Sequence, residues 1–269
     1  MRSKLRDLAG ILNNDIPAPV AVAVSGGVDS MTLAYVAHHV LNDRATMYHA
    51  VSPAVPEAAT ARVRSYAESL GWNLKVISAG EFDDEDYVAN PANRCFYCKT
   101  NLYGAIAAKT KGTIVSGTNL DDLSDWRPGL KAAEDHAVRH PFVEANIDKA
   151  GVREIAREFG LDDISELPAA PCLSSRVETG IPIHAPELRF IDAAEQLVRN
   201  RVDAEAVRCR IRKQGIVIEL DAAVHDEMSG DESQEISDEL SRLAARHSVS
   251  GSIAFAPYKM GSAFLRNTK

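Results

Sequence analysis

Short apolar runs alternate with helix-period patterns in the first half of the chain. The first run, VAVAV at residues 20–24, is apolar at every position, which favours a strand buried on both faces. The predicted strands cover residues 20–24, 46–51, 74–77 and 113–116. The predicted helices cover residues 31–41, 57–70, 100–109 and 149–159. Strand–helix alternation with short connections predicts an α/β fold with a Rossmann-like parallel sheet covered by helices on both sides.

The pattern changes beyond residue 167. The stretch LPAAPCLSSRVETGIPIHAP is rich in proline, serine and glycine, which is typical of an ordered loop or a linker. The periodicity after it predicts helices over residues 186–199 and 232–246 and strands over residues 207–211, 215–220 and 251–256. We therefore expect two domains, residues 1–167 with the parallel sheet and residues 168–269 as a smaller C-terminal α+β domain.

Composition and charge narrow the classes of function. The chain has 269 residues, of which 45% are hydrophobic and 25% charged, and its net charge is −8. This acidic balance argues against coating of nucleic acid, which requires clustered Lys and Arg, but it allows a small phosphorylated ligand. The chain has no apolar run of membrane-spanning length, and its amphipathic start does not resemble a signal peptide. We expect a cytoplasmic protein whose thiols stay reduced.

The sequence VAVSGGVDS, residues 22–30, is the most specific signal in the chain. The strand runs into Ser25, Gly26 and Gly27, and a helix is predicted to begin at or just after Asp29 and Ser30. Glycines let the backbone approach an anion, serines offer hydroxyl groups, and the start of a helix presents N–H groups. The motif lacks the Walker A lysine and differs from GxGxxG. It predicts a phosphate-binding loop at the carboxyl end of a strand, where parallel sheets bind ligands.

The cysteines fall into different settings. Cys95 and Cys98 form a CxxC pair in RCFYC, and Cys172 follows much later in APCLSSR. In a reducing compartment, a CxxC pair favours metal or redox chemistry over a disulfide. Three thiolates are too few for a closed zinc site but suffice for a [4Fe–4S] cluster with one open iron. The alternative is a set of partly buried thiols with no ligand, although the Ser-Ser-Arg sequence after Cys172 favours a reactive thiolate.

The predicted strand in AVRCRIR has two different faces. Alternation places Cys209 on the apolar side, which predicts a core residue. The opposite side carries Arg208, Arg210 and Arg212. Such a face is either solvated or an anion site, and with a phosphate-bearing ligand expected we favour an anion site at Arg208 and Arg210.

The SGGVDS sequence resembles the loop of the PP-loop ATP pyrophosphatase superfamily, whose members split ATP into AMP and pyrophosphate to activate a substrate oxygen. Nearly the whole chain is similar to the LarE family through SGGVDS, NPANRCFYCK, GTNLDDLSDWRPGLKAAEDHAVRHPF, APCLSSR and VRCRI. LarE proteins are ATP-dependent sulfur transferases that act on the pyridinium mononucleotide precursor of the nickel-pincer cofactor. The resemblance therefore implies ATP, Mg²⁺ and this small molecule as ligands, and a homo-oligomeric assembly.

The resemblance also implies roles for individual residues. Cys172 matches the sulfur-donating cysteine, and Cys95 and Cys98 imply the branch in which all three hold a [4Fe–4S] cluster that can pass on a sulfide. Residues implied to bind ATP are Ser25, Gly26, Gly27, Asp29, Ser30, Val51 and Gly117, with Arg127 and Lys131 as candidate phosphate contacts. Residues implied at the substrate phosphate are Ser175, Arg176, Arg208 and Arg210, with Glu195 near a metal. The chain departs from the family at Lys259, where an arginine is expected.

Other interpretations remain open. An amide-forming ligase with the same loop would need no cysteines, and a nucleotide-binding module would bind ATP without releasing pyrophosphate. A tRNA thiolase is a further variant of the sulfur-transfer hypothesis, disfavoured by the acidic balance. The acidic residues Asp121, Asp122 and Asp125 could be Mg²⁺ ligands or could belong to a capped, solvated loop.

Overall fold

The chain forms two compact units. The structure, a computed structural model, describes residues 2–124, 127–169 and 171–265. The first unit consists of Met1–Asp84 and Asn93–Ala170, and the second consists of Glu85–Ala92 and Pro171–Lys269. The short segment Glu85–Ala92 therefore belongs to the second unit, although it lies in sequence between the two parts of the first unit.

The bounds of most elements agree with the sequence prediction to within a few residues. The strands are β1 Val20–Ala23, β2 Ala45–Ala50, β3 Leu74–Ile77, β4 Thr113–Ser116, β5 Val207–Arg212, β6 Gly215–Leu220 and β7 Ile253–Pro257. The helices are α1 Arg2–Gly10, α2 Val28–Leu41, α3 Glu57–Leu70, α4 Glu85–Val88, α5 Arg94–Ala107, α6 Pro128–Asp135, α7 Pro141–Glu144, α8 Lys149–Glu158, α9 Asp162–Ser165, α10 Ala185–Arg199, α11 Ala222–Glu227 and α12 Gly230–Arg246. A π-helical turn follows α1 at Ile11–Asp15, and 3₁₀ turns include Leu120–Leu123 and Leu173–Arg176.

The first unit contains a parallel sheet with the strand order β3-β2-β1-β4. The chain steps outward from β1 through β2 to β3 and then returns to place β4 on the other side of β1. Because the order reverses between β1 and β4, the crevice at their carboxyl ends is the switch point at which open α/β sheets bind ligands. The predicted Rossmann-like sheet is confirmed, and the residues just after β1 and β4 lie at that crevice.

Hydrophobic layers cover both faces of this sheet. On one face, Val20 and Val22 pack with apolar residues of α1, α2 and α8. On the other face, Ala21 and Ala23 pack with apolar residues of α5 and α6. Burial on both sides explains why β1 is apolar at every position.

The helix next to the CxxC pair begins earlier than predicted. Helix α5 starts at Arg94, so Cys95 and Cys98 lie inside its first turns instead of in a loop before it. Only a later part of the helix, around Tyr103, reaches the hydrophobic layer under the sheet. The first turns therefore lack the apolar period that indicates a helix, and the predicted start at residue 100 is wrong.

The second unit contains a small mixed sheet in the order β5-β6-β7. Strands β5 and β6 are antiparallel, with Cys209 opposite Ile218, and β6 and β7 are parallel. Helices α10 and α12 pack against the sheet and each other, and they bury residues such as Phe190 and Leu240. This arrangement confirms the α+β class predicted for the C-terminal part. Within the described ranges, the chain has no helix long and apolar enough to cross a bilayer.

Asn90 ties the segment Glu85–Ala92 to the rest of the second unit. Its Nδ2 donates to the carbonyl oxygens of Glu178 at 3.0 Å and Ile181 at 2.9 Å. Its own carbonyl oxygen accepts the N–H of Gly180 at 2.9 Å. Asn90 has a φ of +54°, a left-handed conformation that asparagine tolerates better than most residues.

Candidate functional site

Two serine hydroxyl groups hold the loop after β1 in shape. Ser30 Oγ accepts the N–H of Ser25 at 3.0 Å and donates to the carbonyl of Gly27 at 3.1 Å, and the two serine Oγ atoms lie 3.0 Å apart. Helix α2 begins at Val28, with Gly27 as an N-cap that has no side chain to cap it. The first N–H groups of a helix have no intrahelical partner and lie at the positive end of its dipole. This loop therefore has the arrangement that binds phosphate.

Close backbone contacts require glycine at two positions of the switch point. Gly26 has a φ of +85°, and a Cβ there would lie 2.7 Å from the carbonyl oxygen of Ala59. At Gly117, just after β4, a Cβ would lie 2.8 Å from backbone atoms of both Asp29 and Ser30. A side chain at either glycine would push apart the segments that form the loop. The predicted residues that the fold brings together here are Ser25, Gly26, Gly27, Asp29, Ser30 and Gly117.

The β2 strand and helix α3 support the other side of the loop. Arg62 Nη1 donates to the carbonyl of Gly26 at 2.8 Å. The fully buried His49 has Nδ1 2.8 Å from the carbonyl oxygen of Val24 and Nε2 3.0 Å from Thr60 Oγ1. Because a carbonyl can only accept, Nδ1 carries the proton and Nε2 accepts from the threonine in the neutral ring. Burial lowers the pKa of His49, which favours this neutral form.

Asp29 is held by two residues that the sequence patterns do not single out. Its Oδ1 accepts from Asn119 Nδ2 at 3.1 Å, and its Oδ2 accepts from Lys149 Nζ at 2.6 Å. Lys149 is the first residue of α8, which follows the N-cap Asp148. The sequence predicts the start of that helix, but nothing in the residue spacing links Lys149 to Asp29. The fold thus places an unpredicted ammonium group beside the phosphate loop.

The acidic residues after β4 are used in local contacts. Asn119 and Asp122 form a capping box at the 3₁₀ turn that follows β4. Asp121 Oδ2 accepts the backbone N–H of Lys149 at 3.1 Å, which joins this turn to the start of α8. The capped-loop alternative therefore describes Asp121 and Asp122. Asp125 lies outside the described residues.

Both basic residues of the RPGLK sequence are paired with carboxylates. Arg127 Nη1 lies 2.9 Å from an oxygen of Asp122. Lys131 Nζ lies 2.5 Å from Asp135 and 3.2 Å from Glu134 on the exposed face of α6. The hydrogen bonds that Lys131 donates to Asp135 and Glu134 raise its pKa. The contact of Arg127 and Lys131 with the phosphates of ATP stays a prediction.

The ends of β2 and β4 carry two further groups near the crevice. The N–H of Val51 donates to the carbonyl of Ile77 at 2.9 Å, so Val51 can meet an adenine only through its carbonyl or its side chain. Ser116 Oγ, at the end of β4, lies 2.9 Å from His140 Nδ1. Burial lowers the pKa of His140, which favours the neutral imidazole at this position.

Helix α6, which the sequence patterns do not predict, packs closely on the start of α5. A Cβ at Gly129 would lie 3.1 Å from Lys99 Cγ and 3.6 Å from the carbonyl oxygen of Cys95. The RPGLK and RCFYC sequences therefore meet inside the first unit. Cys95 and Cys98 are both half-buried on α5, and no disulfide forms among the described residues.

Cys172 belongs to the second unit. It is half-buried and serves as the N-cap of the 3₁₀ turn Leu173–Arg176. In the part of the chain that the structure describes, no three His, Cys, Asp or Glu side chains are grouped so that they could hold a metal ion. Three thiols that are not sealed in the core match the ligand chemistry of an iron–sulfur cluster. The convergence of Cys95, Cys98 and Cys172 stays a prediction.

Arg176, which follows Cys172 closely in sequence and contacts its carbonyl oxygen, forms a buried ion pair with Glu195. Arg176 Nε and Nη2 donate to the two carboxylate oxygens at 2.9 and 3.1 Å, and the side chains are 4% and 3% exposed. Glu195 also accepts from Arg199 Nη2 and from the backbone N–H of Cys209, both at 3.1 Å. Desolvation alone would raise the pKa of Glu195, but the hydrogen bond and charge of Arg176 lower it below its usual value. The two predicted residues are thus engaged with each other.

The arginine face of β5 contains a second buried ion pair. Arg210 Nε donates to Glu219 Oε2 at 2.9 Å, and Arg212 Nη2 donates to Glu219 Oε1 at 2.5 Å. Arg210 is not solvated, while Arg208 is half-buried and its pKa is lowered by burial. No sequence motif marks Glu219 as a site residue. The antiparallel register places it opposite Arg208, so opposite charges across the predicted hairpin were the available signal.

Two remaining residues from the sequence analysis, Cys209 and Lys259, lie in the second unit. Cys209 is fully buried and burial raises its pKa, which confirms it as a core thiol. Lys259 lines an open groove of about 770 Å³ on the outer side of the small sheet, together with Arg212 and Met260.

Comparisons with known proteins show relatives that align with about three quarters of the chain. An uncharacterized protein of Synechocystis is 36% identical over 203 residues, which cover 74% of this chain and 75% of the relative. An uncharacterized protein of Methanocaldococcus jannaschii is 31% identical over 207 residues, which cover 75% of this chain and 77% of the relative. No protein-family model matches the chain.

A third relative has a chemical name. The pyridinium-3,5-bisthiocarboxylic acid mononucleotide synthase of Lactiplantibacillus plantarum is 30% identical over 209 residues, which cover 76% of this chain and 75% of the synthase. Its name describes a product with two thiocarboxylates on a pyridinium ring that also carries a nucleotide phosphate.

Proposed function

The chain belongs to the LarE family, the family of the pyridinium-3,5-bisthiocarboxylic acid mononucleotide synthase, and from this premise we propose that it is an ATP-dependent sulfur transferase. Its substrate is a pyridinium mononucleotide with carboxylate groups. Its product is the corresponding thiocarboxylate, whose soft sulfur atoms suit nickel binding in a pincer cofactor.

The observation that carries this proposal is the loop between β1 and α2. The hydroxyl groups of Ser25 and Ser30, the uncapped start of α2 and the close approach of Gly117 occur together at the switch point of the sheet. These features support binding of the pyrophosphate part of ATP. Conversion of a carboxylate into the thiocarboxylate that the relative's name describes requires an activated acyl group. ATP is therefore the anion that we expect at this loop.

The first chemical step is adenylation of a carboxylate. A substrate oxygen attacks the α-phosphorus of ATP, a new P–O bond forms, and the bond to the β-phosphate breaks so that pyrophosphate leaves. The loop stabilises the charge that collects on that leaving group through N–H groups and hydroxyl groups. Asp29 offers the hard oxygen ligand that Mg²⁺ prefers, and Lys149 supplies a fixed positive charge next to it.

The second step is transfer of sulfur to the activated carbon. A sulfur nucleophile attacks the acyl carbon, a C–S bond forms, and AMP leaves with the electron pair of the broken C–O bond. We propose that Cys172 is the residue at the sulfur donor and that Cys95 and Cys98 are its partners. A [4Fe–4S] cluster held by these thiolates would supply the transferable sulfide at its remaining iron.

The phosphate of the mononucleotide is expected to bind a cationic side chain, and we propose one in the second unit. Arg208 is the proposed contact, because it lies on the arginine face of β5 and, unlike Arg210, is not fully buried. Its guanidinium lies 5.8 Å from the ring centre of Tyr258, which offers an aromatic surface next to that charge.

The test measures both steps on the protein purified without oxygen. The protein is incubated with ATP, Mg²⁺ and the dicarboxylate mononucleotide, and we follow pyrophosphate release and thiocarboxylate formation, with iron and sulfide quantified. Cys172→Ala is expected to keep pyrophosphate release and lose the thiocarboxylate. Ser30→Ala is expected to slow pyrophosphate release about tenfold or more, because the hydroxyl group that holds the loop after β1 in shape is lost. Ser69→Ala, an exposed serine of α3, is the control.

Two results would contradict the proposal. A variant without Cys95, Cys98 and Cys172 that keeps full turnover with ammonia would make the protein an amide-forming ligase. ATP binding without any pyrophosphate release in the presence of the mononucleotide would make it a nucleotide-binding module.

A further inference from the structure

Three side chains contact the turn around Cys172, two at its backbone and one at a serine hydroxyl group. Arg176 Nη1 donates to the carbonyl oxygens of Pro171 at 2.6 Å and Cys172 at 3.3 Å. Arg210 Nη1 donates to the carbonyl oxygen of Ser175 at 3.1 Å. These contacts hold polar backbone atoms of a turn whose backbone hydrogen bonds include those from the N–H groups of Ser175 and Val177.

The third contact comes from the segment Glu85–Ala92. The hydroxyl groups of Tyr87 and Ser174 lie 2.7 Å apart, and both residues are buried. Tyr87 reaches the turn from a part of the chain that is remote in sequence but belongs to the same unit. Contacts from these three side chains therefore hold the turn at Pro171, Cys172, Ser174 and Ser175.

Each of the two arginines is itself fixed by a buried carboxylate. Arg176 is paired with Glu195, and Arg210 is paired with Glu219, with all four side chains at most 5% exposed. Arg176 makes a bidentate pair with Glu195, whereas Arg210 donates one hydrogen bond to Glu219. In each arginine the buried carboxylate orients the planar guanidinium and so fixes where its Nη1 group points. In both cases, those groups are directed at backbone carbonyls of the turn instead of at solvent.

We propose that Arg176, Arg210 and Tyr87 are positioning residues for Cys172, with Glu195 and Glu219 as the counter-charges that orient the two arginines. This role replaces a direct contact of Arg176 and Arg210 with the substrate phosphate. The inference rests on the proposed function, because a fixed Cys172 matters only if its sulfur takes part in transfer. Positioning of this kind raises a rate by holding the reacting atoms near their attack geometry.

The test compares variants by hydrogen–deuterium exchange of the full-length protein. Tyr87→Phe removes one hydroxyl group and keeps the buried ring, so it does not threaten folding. Arg210→Gln removes the contact to Ser175. Arg212→Gln is the matched control, because Arg212 shares Glu219 with Arg210 but contacts Ser262 instead of the turn.

The peptide that carries the amides of Ser175 and Val177 is the readout. We expect exchange of this peptide to be about tenfold faster in Tyr87→Phe, because the turn opens more often when a hydrogen bond is lost. In Arg210→Gln it should be about ten- to a hundredfold faster, because a hydrogen bond from a charged donor is stronger. Exchange of the buried side of α12, which belongs to the same unit but carries none of the substituted residues, is expected to stay unchanged, since a general loss of stability would accelerate that helix too. Arg212→Gln is expected to match the wild-type protein at the turn.

A turnover measurement separates positioning from phosphate binding. In Tyr87→Phe, the kcat for thiocarboxylate formation is expected to fall about tenfold, while the KM for the mononucleotide stays within about twofold. Inorganic phosphate should bind Arg210→Gln as well as it binds the wild-type protein. Unchanged exchange at the turn in both Tyr87→Phe and Arg210→Gln overturns the inference, whatever their turnover.

Failure of the proposed function would look different. Absence of thiocarboxylate from the wild-type protein, combined with accelerated exchange in the variants, would leave the turn held as described but remove its link to sulfur transfer. Weaker phosphate binding together with unchanged exchange would return Arg210 to the substrate phosphate and end the positioning role.

Discussion

At the scale of single residues, the two glycines of the phosphate loop have different duties. Gly26 has a positive φ and lies against the backbone of Ala59, so its role is to let the loop close. Gly27 has a φ of −86° and a ψ of 164°, which any residue adopts, and a Cβ there would meet only Ser25 Oγ, at 3.8 Å. The space over Gly27 is therefore open, and it lies at the start of α2, where an anion would bind.

We expect opposite outcomes from the same substitution at these two positions. Gly26→Ala should lower the free energy of unfolding by about 2 kcal/mol or more, because the left-handed backbone and the contact with Ala59 both disfavour a Cβ. Gly27→Ala should leave the free energy of unfolding within about 0.5 kcal/mol of the wild type and weaken Mg–ATP binding about tenfold. Urea unfolding and calorimetric titration measure the two quantities.

The pair of variants is its own control. Wild-type affinity for Mg–ATP in Gly27→Ala would show that the nucleotide does not occupy the space over this glycine. Unchanged stability in Gly26→Ala would show that the loop can close in another way.

At the scale of helices and strands, the sequence predicts those elements whose apolar residues follow a regular pattern. Strand β1 and helix α3 are located because burial imposes a regular pattern on them. The first turns of α5 and the whole of α6 are not, because they pack on each other through Gly129 and the polar residue Lys99. A contact made by glycine and polar side chains leaves no apolar period to read.

The same limit applies to the candidate site. Ser25, Gly26, Gly27, Asp29 and Ser30 are adjacent in sequence, so their motif is visible without a structure. Lys149 reaches Asp29 only because β4 returns beside β1 and places the start of α8 next to the start of α2. Contacts that depend on strand order cannot be derived from local patterns.

The joint between α2 and α8 gives a prediction at this scale. Lys149→Met should lower the free energy of unfolding by no more than about 1 kcal/mol, because its pair with Asp29 is about a third exposed to solvent. It should slow pyrophosphate release about tenfold or more, since a fixed positive charge is removed from the phosphate loop. Thermal unfolding and a coupled pyrophosphate assay provide the measurements.

Lys4→Met is the matched control for this variant. Lys4 lies 3.8 Å from Asp148, the N-cap of the same helix, and that pair is more exposed and does not involve Asp29. Equal loss of pyrophosphate release in both variants would assign the effect to the stability of α8 and not to the charge beside the loop.

At the scale of the whole molecule, buried titratable groups couple the stability of the chain to pH. Burial lowers the pKa of both His49 and His140 from the usual value of 6.5. The Arg139 guanidinium lowers the pKa of Glu144 from 4.5, and at Glu195 the effect of Arg176 outweighs desolvation and gives the same direction. Glu187 has the opposite sign, because burial raises its pKa.

These directions predict acid destabilisation in two stages. A histidine with a lowered native pKa binds protons first in the unfolded chain, so stability is complete above pH 6.5 and falls as the pH drops below it. The carboxylates with lowered pKa values add a second loss as the pH falls below 4.5. Each unmatched proton contributes a slope of about 1.4 kcal/mol per pH unit, and Glu187, whose pKa is raised above 4.5, offsets part of the loss that occurs above that pH.

Urea unfolding from about pH 7.5 down to about pH 2.5, the range in which these groups titrate, measures both stages. Replacement of His140 by Gln is expected to flatten the first stage, because glutamine can keep the contact to Ser116 Oγ without binding a proton. The second stage should be unchanged in that variant, since it arises from Glu144 and Glu195. Stability that rises as the pH falls from 7 to about 5.5 would mean that the buried histidines gain protons in the folded state, against the direction that their burial imposes.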